Sequence, residues 1–117
     1  MFIVRYLMIG VLFILIVVNI IENQDLKTKI RLANSTGFEL SNISLFSIKF
    51  ENLNPGDTSG YKEINYDYLK DDPLIYTTIN HIILGLYVEI PKENKKNTFI
   101  VDSVNMENKR LYVRLSQ

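Results

Sequence analysis

Sixteen consecutive residues, YLMIGVLFILIVVNII from Tyr6 to Ile21, carry one clearly polar side chain, Asn19. A helix that is apolar on every side has no face to give to water, so a small domain would have to enclose it completely or leave it in lipid. At about 1.5 Å per residue the run spans roughly 24 Å, short of a hydrocarbon core of about 30 Å. Phe2, Ile3 and Val4 precede a lone Arg5, and an arginine near a helix end reaches the headgroups while its stem stays in the hydrocarbon. Residues 2–21 are then long enough to cross. A cleaved signal peptide needs small residues at the cut; Val17 to Gln24 offers no such pair, and the first alanine is Ala33. The sequence therefore predicts a transmembrane anchor over 1–22, with a cleaved signal segment as the alternative, a linker at 23–25 and a β domain over 26–117. Arg5 on one side faces Lys27, Lys29 and Arg31 on the other, so the basic residues do not set the orientation. The very short segment before the helix favours a single pass with the amino end inside and the domain on the outer, periplasmic or extracellular, side.

The soluble part, residues 23–117, has the size of one small domain and not two. Thirteen Lys and Arg balance thirteen Asp and Glu. A neutral chain has no general pull on nucleic acid, whose binders carry a clustered basic excess. The absence of cysteine removes disulfides, thiolate metal sites, a cysteine nucleophile and thioether lipid attachment. Packing and hydrogen bonds must hold the domain.

In LKTKIRLA the residues Leu26, Thr28, Ile30 and Leu32 fall on one face and Lys27, Lys29 and Arg31 on the other, the period of a half-buried strand. The three cations suit a solvated strand face or an edge guard, with an anionic lipid patch as the sharper alternative. Asn34 to Gly37 is a turn cluster. Ile43 to Phe50 alternates with a change of phase near Phe46 and Ser47, as a bulge would produce. In NLNPGDTSG, Pro55 presets φ and Gly56 suits the positive φ of a type II turn. Strand patterns resume at Tyr61–Ile64, Leu74–Ile79, Ile82–Ile90, Thr98–Val104 and Leu111–Leu115, the last with Leu111, Val113 and Leu115 inward and Tyr112 and Arg114 outward. Asn80-His81 links two of these runs at hairpin length. About seven short strands without a second helical pattern predict an immunoglobulin-like antiparallel β-sandwich, with a closed barrel as the alternative.

Three blocks, IRLANSTGFELSNISL, NLNPGDTSGYKEI and LIYTTINHIILGLYVEI, follow one another over about residues 29–90. In this order they resemble small uncharacterised β-sandwich domains of the Bacteroidota cell envelope, in which an Asn-rich turn, a Gly-x-Thr-Ser-x-Tyr block and a hairpin recur. The resemblance implies an envelope location and no particular activity. Lipoprotein relatives would carry a lipobox cysteine; this chain has none, which favours the peptide anchor.

His81 is the single histidine, so no triad and no two-histidine metal site can be assembled, and its position suits a turn. Asp67, Asp71 and Asp72 share a loop, but their spacing matches no calcium loop and Pro73 follows at once. Gly56 and Gly60 belong to a turn rather than to a phosphate-binding strand-to-helix junction. No catalytic, cofactor or metal residues are therefore predicted. Tyr61, Tyr66, Tyr68 and Tyr76 form the densest aromatic stretch, suited to core packing or to recognition. In NYDYLKDDP, Tyr66 and Tyr68 offer rigid area and Asp71 and Asp72 a charged rim, which makes these four the candidate partner-binding residues. The chain is expected to be a membrane-anchored, non-enzymatic module for protein binding or structural interaction, with a protein or the cell wall as partner. The alternative is a small secreted or periplasmic ligand-binding domain, or a carboxylate-based enzyme, released by signal cleavage.

Overall fold

The computed structural model describes residues 27–65 and 72–116. The apolar run and the linker lie outside them. Among the described residues no helix is long and apolar enough to cross a membrane.

The described chain is mainly β. Its strands are β1 (Lys29–Asn34), β2 (Ser41–Leu45), β3 (Ile48–Phe50), β4 (Lys62–Glu63), β5 (Leu74–Ile79), β6 (Ile82–Tyr87), β7 (Lys96–Asn105) and β8 (Arg110–Ser116). They form two four-stranded sheets, β4-β1-β7-β8 and β3-β2-β5-β6, in a sandwich-like arrangement. The alternation predicted for the first strand is present, with Ile30 and Leu32 fully buried. In β8, Leu111 and Leu115 are buried and Val113 half-buried, while Tyr112 and Arg114 face solvent. These residues join Phe99 and Val101 of β7 and meet Ile43, Leu45, Ile75 and Ile79 of the second sheet in one core. The Phe46 and Phe99 rings contact edge to face, with centroids 5.7 Å apart. Each such buried side chain contributes roughly 1.5–3 kcal/mol of transfer free energy.

Three expectations need correction. The change of phase at Phe46 and Ser47 is not a bulge: both residues have positive φ, 51° and 65°, and the chain reverses there so that Ile48 pairs with Leu45 and Phe50 with Ile43. Two left-handed residues make the tight turn whose twist matches paired strands, and splitting this run gives eight strands rather than about seven. The irregularity of β2 lies at its other end, where the register against β5 shifts between Ser41 and Ser44 and Asn42 takes φ 47°. Nor is the arrangement wholly antiparallel, because β1 pairs in parallel with β7 from Lys29–Lys96 to Asn34–Val101. No hairpin joins strands so far apart in sequence, so no short turn dictates their relative direction. Finally, β6 stops at Tyr87 instead of running to Ile90.

Two buried asparagines close the ends of that parallel ladder. Asn34 is 1% exposed; its amide nitrogen donates to the carbonyls of Phe38 (2.8 Å) and Leu53 (3.1 Å), and its Oδ1 accepts from the Thr36 backbone (3.0 Å) and hydroxyl (2.6 Å). Asn97 donates to the carbonyls of Lys29, Lys92 and Lys95 and accepts from the Lys92 N–H at 2.8 Å. On the far side of β1, the Ser59 N–H donates to the Leu32 carbonyl and its hydroxyl accepts from the Leu32 N–H. The turn before it is the expected one: Gly56 has φ 86° and the Asp57 N–H donates to the Asn54 carbonyl at 3.0 Å. Asn34→Ala strands two carbonyls and a buried N–H, so urea unfolding should show a loss of about 2–4 kcal/mol, and Asn34→Asp, which cannot donate, should not restore it.

Candidate interaction surface

The outer face of the second sheet carries the most exposed large apolar side chains among the described residues. Inward-facing residues of β5 and β6 alternate with outward ones, and the register sets Leu74 beside Tyr87, Tyr76 beside Gly85 and Thr78 beside Ile83 on the outside. Ile83 is 74% exposed and Tyr87 70%, and Ile90 follows just beyond the strand. Gly85 is part of this surface by its lack of a side chain. A Cβ there would lie 2.8 Å from the Tyr76 ring, so the ring lies over the glycine and covers the strand in its place. Isolated exposed apolar residues are ordinary; several on one uncharged strand face are the pattern of a recognition surface.

The backbone of β6 adds a second feature. Asn80 and His81, with φ 49° and 66°, form a two-residue turn that pairs Ile79 with Ile82. Hydrogen-bonded pairs then recur at Thr77–Leu84 and Ile75–Leu86, and the Val88 N–H donates to the Pro73 carbonyl at 2.7 Å in the same phase. The N–H and C=O groups of Ile83, Gly85 and Tyr87 therefore point away from β5, along an edge to which no described strand is paired. β8 of the other sheet comes near this edge without forming a ladder with it.

Of the four residues expected to bind a partner, Tyr66, Tyr68 and Asp71 lie outside the described residues, as does Asp67. Asp72 is exposed, and its carbonyl accepts from the Leu74 N–H at the start of β5. Tyr76 is at the surface rather than in the core. Tyr61 is also exposed and lies on the first sheet, with the Arg31 guanidinium 4.5 Å and the Lys96 ammonium 5.3 Å from its ring centre. Arg31 also donates to the Thr98 hydroxyl, and Lys27 pairs with Glu63 at 3.3 Å, so two of the three cations are engaged with their own sheet face. His81 is an exposed turn residue. A cleft of about 310 Å³ lies between residues 50–53 and 57–62. Glu51 and Asp57 on its walls are both exposed, and Asp57 accepts from the Asn54 N–H.

Ile83 and Tyr87 were not singled out from sequence because IILGLY is apolar at nearly every position, which hides its facing. The interruption by Gly85 and the absence of charge were the available signals. If the Tyr76 ring and Gly85 are matched, Gly85→Ala should cost about 1 kcal/mol more with Tyr76 present than in a Tyr76→Ala background, as measured by a double-mutant cycle of urea unfolding. No protein-family model matches the chain, and no curated protein matches its sequence.

Proposed function

We propose that the chain is a non-enzymatic interaction module, held at a membrane in a single pass by residues 1–22, with its β domain on the outer side and a protein as partner. The observation that carries the binding role is the exposed, uncharged outer face of β5 and β6, in which Ile83 and Tyr87 flank the Tyr76 ring over Gly85. Large aromatic and aliphatic side chains on a rigid sheet bring contact area at little entropic cost, because the strands already hold them in place. The membrane setting rests on the apolar run before Glu22 and is in keeping with the resemblance to envelope domains. An immunoglobulin-like classification is in keeping with two sheets between which the chain crosses four times, at β1–β2, β3–β4, β4–β5 and β6–β7.

Placing a photo-reactive benzoylphenylalanine at Tyr87 of the full chain in intact cells tests the surface. Irradiation should give a protein adduct from that position and none from the same group at Glu39, which is exposed on the loop before β2. No adduct at position 87, or equal yields from both positions, would overturn this assignment.

A further inference from the structure

We infer that β6 pairs antiparallel with β6 of a second copy of this chain, with Gly85 beside its counterpart on the two-fold axis. The inference rests on the β5–β6 face being the binding surface, and it names the occupant.

The first ground is backbone chemistry. Ile83, Gly85 and Tyr87 direct alternate N–H and C=O groups to the side of β6 on which no described strand is paired, the donor and acceptor pattern that an antiparallel strand completes. The second ground is the contrast between edges. Proteins guard free strands with lysine, proline, bulges or very short length. β4 has two residues, and β3 has three with the Lys62 ammonium bonded to the Lys49 carbonyl. β8 carries Arg110, Tyr112 and Arg114 on its exposed positions. β6 has six residues with no charge and no proline.

The third ground is that β6 is complementary to itself. Its ladder runs from Ile82 through Val88, and full overlap of two such segments centres on Gly85. In that register Ile83 lies beside Tyr87 of the second copy, and Tyr87 beside its Ile83, all on the outer face. A branched aliphatic against an aromatic ring is a favourable cross-strand pair. The paired glycines leave space above the axis, and a Tyr76 ring already lies over each of them. The same register brings His81 past Glu89 of the second copy, an imidazole beside a carboxylate, so no like charges meet. A symmetric contact of this kind closes on two copies and does not propagate into a fibre through β6.

The chain has no cysteine, so introduced thiols report the register directly. Hydrogen-bonded partners in an antiparallel pair have Cα atoms about 5.5 Å apart, within the reach of a disulfide. Full-length chains carrying Ile83→Cys and Tyr87→Cys, co-expressed and oxidised in the membranes of the producing cells, should form a disulfide-linked pair at least ~10-fold more than either variant alone, because like positions lie about 13 Å apart. Both side chains are exposed, and unchanged thermal unfolding of each variant confirms that the fold is kept. Equal cross-linking in all three samples, or none in any, would overturn the inference. A photo-adduct from position 87 with a different protein, together with no disulfide pair, would overturn self-pairing and leave the interaction surface standing.

Discussion

The parallel pairing of β1 with β7 is the contact on which the rest of the architecture depends. It joins residues 29–34 to 96–101 across most of the described chain, and no short turn brings them together. The ladder alone does not specify its ends. Asn97 near one end and Asn34 at the other do so, each burying an amide whose donors and acceptor are matched to loop backbone. A buried amide is costly unless every group is satisfied, which makes these two positions strict about the path of the loops around them. The Asn34 carbonyl also accepts from the Gly56 N–H, so the clamp extends to the type II turn and, through Ser59, to the far edge of β1.

Holding β1 between β7 and the 56–64 segment settles where free edges are left. On one side of the molecule β3 and β4 are short, and Lys62 bridges from one to the other. On the other side β8 carries cations, and β6 is long, uncharged and apolar on its outer face. The same strand therefore holds both the unpaired backbone and the exposed side chains. In the proposed membrane setting, a surface of this kind would meet its partners within a plane, where local concentration is high and a modest contact suffices.

Much of this was legible in the residues. The alternation in KIRL, the Pro55-Gly56 turn, the two-residue link at Asn80-His81 and the inward set of β8 each follow from a local rule, and local rules leave a local signal. What was not legible is long-range or facing information. The parallel direction of β1 and β7 depends on chain paths that no short motif encodes. The run from Ile43 to Phe50 gives the same pattern for a bulge and for a tight turn, and only the positive φ of both Phe46 and Ser47 separates them. In β6 the apolar residues occupy both faces, so periodicity could not say that Ile83 and Tyr87 point outward while Leu84 is buried. In the sequence Tyr66, Tyr68, Asp71 and Asp72 stand out instead, aromatic and acidic against their neighbours; of these only Asp72 is among the described residues, exposed just before β5.

β6 has an edge that pairs with no described strand, and the proposal places a second copy on it. Amide hydrogen exchange of the full chain in detergent micelles, followed residue by residue at high and low protein concentration, tests it most directly. Leu84 and Leu86, bonded to β5, and Val88, bonded to Pro73, should exchange slowly at both concentrations. Ile83, Gly85 and Tyr87 should be protected when the chain is concentrated and should lose that protection on dilution. Slow exchange of these three amides at every concentration would show that the edge is covered within a single chain, and fast exchange at every concentration would show that nothing pairs with it; either result contradicts the account.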